Sequence, residues 1–154
     1  MNNTKSENLL QTGNNELQLL EFRVGDNSYG VDVTKVHELL QYCPVQPIPN
    51  APTCVEGIIC PRNQLVTVIE LAAYLQHPPS GRADRDIFVI AEVNQGSFAF
   101  HVHQVIEIHQ ISQDEIEIPD MFRDGDGVVT GVVKKSGVLI CILDFEKIMI
   151  EING

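Results

Sequence analysis

Five histidines are the first residues whose chemistry has to be weighed: His37, His77, His101, His103 and His109. His101 and His103 stand two apart in a β-rich run, and on a strand residues i and i+2 point to one face. Two imidazoles side by side, joined by Cys141 as a third ligand, could hold zinc and make the chain a metal-dependent enzyme. The plainer expectation is preferred: both rings line the polar face of a strand whose apolar residues are Phe98, Phe100 and Val102. Cys43, Cys54, Cys60 and Cys141 form no C-x-x-C pair, so neither a zinc knuckle nor a dithiol motif is written, and reduced thiols are expected. G-x-S-x-G, H-E-x-x-H, G-x-G-x-x-G and G-K-[ST] are all absent, which removes the frameworks of hydrolase, zincin, dinucleotide and P-loop chemistry.

Acidic residues offer little more. Asp124, Gly125, Asp126 and Gly127 resemble part of a calcium loop, but the distal Glu of an EF-hand is missing, and a flexible loop is the expectation. Asp114, Glu115, Glu117 and Asp120 alternate with Ile116 and Ile118 and read as a solvated face. A different pair stands out without implying catalysis. Arg62 falls in a turn between apolar strands, and Glu38 follows the first hairpin, so a barrel could bring them together. An exposed ion pair would be worth about 0 to 1 kcal/mol; a fixed Arg flanked by apolar residues is also a common interface anchor.

The elements that must position these residues are short. Leu17, Leu19, Phe22 and Val24 alternate imperfectly up to the turn chemistry of Gly25 to Ser28, and Tyr29 to Val33 returns as a strand. Val33, Val36, Leu39 and Leu40 fit a helical stripe about as well as a strand, and a short helical piece with Thr34 as its cap is the expectation. Val55 to Cys60 and Leu65 to Ile69 form a second hairpin around Pro61 to Gln64, where Asn63 tolerates positive φ. Glu70 to Leu75 predicts a turn or two of helix, and Gln76 to Asp86 reads as a linker.

After that linker the pattern begins again. An offset of 69 lays Ser28 on Ser97, Val36 on Val105 and Glu38 on Glu107; an offset of 74 lays Gly57 on Gly131, Leu65 on Leu139 and Glu70 on Asp144. The chain is therefore read as an internal duplication. Each half supplies about five short strands, which suits a small closed barrel better than a flat sheet with bare edges. The expected layout is a loose arm over 1–15, a first barrel over about 16–75, a linker at 76–86 and a second barrel over about 87–150.

Bulk properties bound the partners. The 154 residues carry 10 Lys and Arg against 21 Asp and Glu, a net charge of -11, which repels phosphate backbones and disfavours nucleic acid or a basic membrane-docking face. Apolar runs such as Val138 to Leu143 fall far short of the roughly 20 residues a spanning helix needs, and Met1 to Gln11 lacks the features of a signal peptide. A cytoplasmic protein acting on protein partners is expected, without direct membrane insertion.

From about Asn15 to Asn153 the chain resembles the CheW-like adaptor domain, most closely that at the amino terminus of CheV coupling proteins. The resemblance rests on NELQLLEFRVGDNSYGVDVTKVHELL, VQPIPNAPTCVEGIICPRNQLVTVIELAAYL, AFHVHQVIEIHQIS and GVVKKSGVLICILDFEKI. It implies a mainly β fold of two five-stranded SH3-like barrels on a shared core, with a few short helices, and a role without catalysis or cofactor. The implied partners are the cytoplasmic tips of chemoreceptors, the regulatory domain of the histidine kinase CheA and other CheW-like domains, in arrays at the inner face of the membrane. Val36, Glu38, Arg62 and Gly57 match family positions tied to receptor and kinase coupling. The family's Leu-Arg-Gly turn reads Pro61-Arg62-Asn63 here, and Asn63 can replace the Gly because it reaches positive φ at modest cost. The CheV likeness implies a receiver domain following Gly154, so no Asp of this chain is its phosphoacceptor; a stand-alone CheW-type coupling protein is the alternative.

Overall fold

The computed structural model describes residues 16–120 and 127–153; the expected arm at 1–15 and the Asp124 to Asp126 portion of the acidic loop lie outside them. The chain begins with β1 (Glu16–Val24) and β2 (Asn27–Asp32), joined at Gly25 and Asp26, where Gly25 takes φ 63. The expected helical stripe shrinks to one 3-10 turn, Val33–Lys35, whose Thr34 amide donates to the Asp32 carboxylate, and β3 (Val36–Gln41) follows as a strand. There Val36, Glu38 and Leu40 turn partly inward while His37, Leu39 and Gln41 face out, a period of two. The remaining elements are β4 (Val55–Ile59), β5 (Val66–Glu70), α1 (Leu71–Leu75), β6 (Ile87–Val93), β7 (Gly96–Val102), β8 (Gln104–Ser112), β9 (Val129–Lys135), β10 (Val138–Leu143) and α2 (Phe145–Asn153). No helix among the described residues is long and apolar enough to cross a membrane.

Two five-stranded sheets result, ordered β8-β1-β2-β10-β9 and β3-β6-β7-β5-β4. Replacing each strand by its repeat counterpart, β1 by β6 through β5 by β10, converts one order into the other. The duplication is therefore real, yet the barrels are not its halves. One sheet takes β1 and β2 from the first repeat and β8 to β10 from the second; the other takes β3 to β5 and β6 to β7. The expected barrels at 16–75 and 87–150 are corrected accordingly. Residues 76–86 do not join two barrels; they connect α1 to β6 beside the sheet that contains both β5 and β6. The local cause is the Val33–Lys35 turn, which carries β3 across the seam to pair with β6 instead of folding it beside β2.

This interleaving buries strands on both faces. Leu19, Ile111, Val133, Ile140 and Ile142 fill one barrel, and Ile59, Val66, Val68, Phe88, Ile90 and Ala99 fill the other. The alternate residues of the same strands, including Leu20, Phe22, Ile69, Val89 and Phe100, join Phe145, Ile148 and Met149 of α2 in a shared core. Phe100 stacks on Phe145 with ring centroids 3.8 Å apart. Such aromatic pairs add about 0.5–1.5 kcal/mol beyond area burial.

Candidate functional site

Arg62 stands at the tip between β4 and β5. The Gln64 amide donates to the Pro61 carbonyl at 2.9 Å, closing a four-residue turn whose central residues are both left-handed, Arg62 at φ 51 and Asn63 at φ 65. The corresponding turn of the second repeat has the same character at Ser136 (φ 52) and Gly137 (φ 79). Asn reaches this region readily, whereas a long cationic side chain pays about 1–2 kcal/mol for it. The Arg62 guanidinium reaches across to β3 and donates to the Glu38 carboxylate. Sequence spacing had allowed that pair, and the fold makes it, with Arg62 two-thirds exposed and Glu38 about one-quarter exposed. Leu39, next to Glu38, and Leu65, three residues beyond Arg62, are exposed apolar residues on the same two elements.

Val36 and Gly57 are placed differently. Val36 opens β3, two residues before Glu38, and is half-buried against the shared core. Gly57 sits at a register shift in β4, with φ 153 and the Gln46 backbone lying directly over it. Gln46 exchanges amide and carbonyl bonds with Ile58 at 2.9 and 2.8 Å, which pins the proline-rich segment after β3 to β4. Gly57 thus supports the hairpin carrying Arg62 and offers no side chain to a partner.

The histidine-cysteine metal set is not assembled. His101 points toward the carboxylates of Glu56, Glu70 and Asp86, His103 accepts from the Gly25 amide through Nδ1 at 2.9 Å, and Cys141 lies in the other sheet. Among the described residues, the groups whose ligand atoms converge are Glu56, Glu70, His101 and Glu21, Glu107, His109; neither contains His103 or Cys141. Burial pushes the Cys54 and Cys141 thiols up and the His103 imidazole down, so these groups sit in their uncharged forms.

Nor is His101 on a solvated strand face. It is 2% exposed, edge-on to Phe88 and packed against Tyr42, with ring centroids 5.4 and 5.6 Å away. Nδ1 meets Glu56 at 2.7 Å and Nε2 meets Asp86 at 2.7 Å. A neutral imidazole can donate from only one nitrogen, so two carboxylate contacts select the imidazolium. Burial alone would lower its pKa, but the hydrogen bond to Glu56, the charge of Glu70 and the hydrogen bond to Asp86 outweigh it and hold His101 at about 9. Glu56, Glu70 and Asp86 carried no spacing signal in the sequence, since they come from two strands and the supposed linker.

A pH dependence of stability follows. Because the folded pKa is raised, the contribution of His101 is complete below its unfolded value near 6.5 and is lost as pH rises through about 9. In chelator-treated protein, the free energy of unfolding read from urea titrations should fall between pH 6.5 and 9.5, by about 2 kcal/mol after allowing for the solvent that reaches the two glutamates. His101→Gln should be less stable at pH 6.5 and flatten that slope; an unchanged slope in the variant would remove the assignment.

The comparisons with known proteins agree with this architecture. The sequence model of the CheW-like domain matches residues 18–152. Chemotaxis protein CheW of Treponema pallidum is 28% identical over 139 residues, covering 86% of this chain and 82% of that one. Chemotaxis protein CheV3 of Helicobacter pylori is 24% identical over 152 residues, covering 90% of this chain and 49% of its own length, so the chain spans about half of that relative. Among solved structures, the scaffolding protein TtCheW from Thermoanaerobacter tengcongensis superposes with a TM-score of 0.75 at 26% identity, covering 83% of this chain and 88% of that one. The fold is thus the pair of SH3-like barrels that the resemblance implied. With the family's sequence model spanning nearly all of the described residues, the chain belongs to the CheW-like domain family, whose members are non-catalytic scaffold adaptors of chemotaxis.

Proposed function

We propose that this chain couples the cytoplasmic tips of chemoreceptors to the regulatory domain of the histidine kinase CheA, in arrays on the cytoplasmic face of the membrane, with Val36, Glu38, Arg62 and Gly57 forming or supporting the docking surface. The observation that carries the reading is Arg62. A charged residue held left-handed at a hairpin tip and paired with Glu38 of β3, with Leu65 exposed three residues further along the same hairpin, is a preorganised anchor of the kind that dominates protein interfaces. The likeness to CheV3 favours a second form of the same function, in which this adaptor domain precedes a receiver domain; a stand-alone coupling protein fits the CheW relatives equally well.

Binding to an immobilised receptor tip and to the CheA regulatory domain tests the reading. Arg62→Ala and Glu38→Ala should weaken capture of at least one partner by about tenfold or more. The exposed ion pair contributes only about 0–1 kcal/mol to stability, so both variants should unfold close to the wild-type temperature. If wild-type protein bound neither partner, the coupling role would fail; if it bound and both variants matched it, the docking site would fail while the role stood.

A further inference from the structure

We propose that Glu56, Glu70 and His101 form a binding site for a first-row divalent metal ion of the zinc class, with Asp86 as the outer carboxylate that orients the imidazole. The three residues come from β4, the end of β5 and β7, and their ligand atoms lie within 4.8 Å of one another. From His101 Nδ1, the Glu56 Oε1 atom is 2.7 Å away and Glu70 Oε2 is 3.5 Å away. Ligand atoms around a tetrahedral zinc, each about 2.0–2.1 Å from the ion, stand roughly 3.3 Å apart, so the two observed separations bracket the required one. Only the glutamate side chains need to adjust, and both are partly open to solvent.

The imidazole is the feature that separates this group from an ordinary acidic patch. Its side chain is 3% exposed, and Nε2 is fixed at 2.7 Å from Asp86 Oδ2, itself 4% exposed. Ser80 Oγ donates to the same Asp86 oxygen at 2.9 Å. The ring therefore cannot turn, and Nδ1 is aimed at the two glutamates. A carboxylate behind a ligating histidine is the arrangement that sets ring orientation and basicity in metal sites. Among the described residues no Lys or Arg pairs with Glu56, Glu70 or Asp86, so three carboxylates face one imidazole. A divalent ion replaces the Nδ1 proton, which leaves to solvent, and reduces that excess of negative charge. Solvent on the glutamate side supplies the fourth ligand as water. One nitrogen and two carboxylate oxygens suit zinc, cobalt or nickel better than magnesium or calcium.

The second convergent group lacks this construction. His109 Nε2 meets Glu21 at 2.7 Å, Ser28 Oγ takes the other Glu21 oxygen, and Glu107 is exposed. No second carboxylate fixes the His109 ring among the described residues. The proposed site also stands apart from the docking reading, since it would tie β4 and β5 to β7 whether or not Arg62 contacts a partner.

Titration calorimetry on the chelator-treated full chain tests it, with zinc chloride and magnesium chloride as the probes. One zinc ion per chain should bind with micromolar or tighter affinity and raise the unfolding temperature, and magnesium should do neither. Glu70→Gln should weaken zinc binding at least tenfold, and Asp86→Asn should weaken it 10–100-fold, the range for outer carboxylates. Absence of stoichiometric zinc binding to wild-type protein would overturn the proposal. So would unchanged zinc binding by a folded Glu56→Gln, Glu70→Gln double variant. Should those variants not fold, cobalt(II) bound to wild-type protein decides: a spectrum of nitrogen and oxygen ligation supports the site, and a thiolate charge-transfer band places the metal on cysteine and overturns it.

Discussion

Replacing Gly57 by valine is expected to unfold the protein or leave it severely destabilised, by about 4 kcal/mol or more, with conversion to alanine costing about 3 kcal/mol. Two causes add. The backbone at Gly57 has φ 153, a conformation that side chains on L-residues rarely adopt. A Cβ there would also stand 2.0 Å from the Gln46 carbonyl oxygen and 2.7 Å from the carbonyl carbon, which are main-chain atoms locked by both bonds to Ile58. Relief requires the 44–53 segment to lift from β4, exposing Val45 and breaking the bridge that covers the sheet edge. The repeat counterpart provides an internal comparison. At Gly131 the nearest atom to a new Cβ is a side-chain methyl of Ile116 at 2.5 Å, and the backbone is not left-handed. Gly131→Ala should therefore cost about half as much, or less, because a side chain can shift where a hydrogen-bonded carbonyl cannot. Thermal and urea unfolding of the two alanine variants reads the difference; equal losses would mean that the Gln46 bridge is unimportant. Loss of partner binding in a Gly57 variant would reflect displacement of the Arg62 hairpin, so this position tests the fold and cannot identify a contact.

Much of this was legible because turns and strand periodicity are local. Gly25 and Asp26, and the Pro61 to Gln64 turn, carried enough chemistry to mark both hairpins before any tertiary contact was known. The matched Gly57 and Gly131, Leu65 and Leu139, and Glu70 and Asp144 correctly revealed equivalent strands. Self-similarity, however, says which strands correspond and is silent about which copy supplies each neighbour. That choice depends on the Val33–Lys35 turn, a three-residue feature whose Val33 also fitted a helical stripe.

His101 escaped the sequence for a related reason. Strand alternation placed it opposite Phe100, and one apolar face ordinarily implies one wet face. In two barrels packed together both faces are covered: Phe100 looks into the shared core and His101 looks inward, beside Phe88 and Tyr42. Its carboxylate partners at positions 56, 70 and 86 are distant in sequence, and only barrel closure brings them to one ring. Glu38 and Arg62 were easier, since they flank a single excursion of the chain and their opposite charges suggested the contact.

Dividing the chain between Pro79 and Ser80 should give two pieces that are each unfolded alone and regain the native fold when mixed. Pro79 is exposed, and the division keeps Ser80 with Asp86. Left alone, the first piece can pair only β1 with β2 and β4 with β5; β3 loses β6, its sole sheet neighbour. The second piece keeps β6 with β7 and β9 with β10, while β8 loses β1. Isolated two-stranded hairpins are marginal in water, and here each would also expose the apolar faces that meet in the shared core. Mixing restores both parallel joins, β2 with β10 and β5 with β7, each of which spans the division. Dispersed amide resonances should therefore appear only in the mixture, with a one-to-one mass by sedimentation and a midpoint that rises with concentration, as linked folding and association require. Contiguous barrels would behave oppositely, because each piece would own a complete five-stranded sheet and unfold cooperatively without its partner. Such behaviour in either isolated piece would contradict the interleaved topology. The outcome bears on function as well: with β3 in the first piece and β6, the strand that holds it, in the second, Glu38 cannot be presented beside Arg62 by half of the molecule, and neither piece alone should capture a receptor or the kinase.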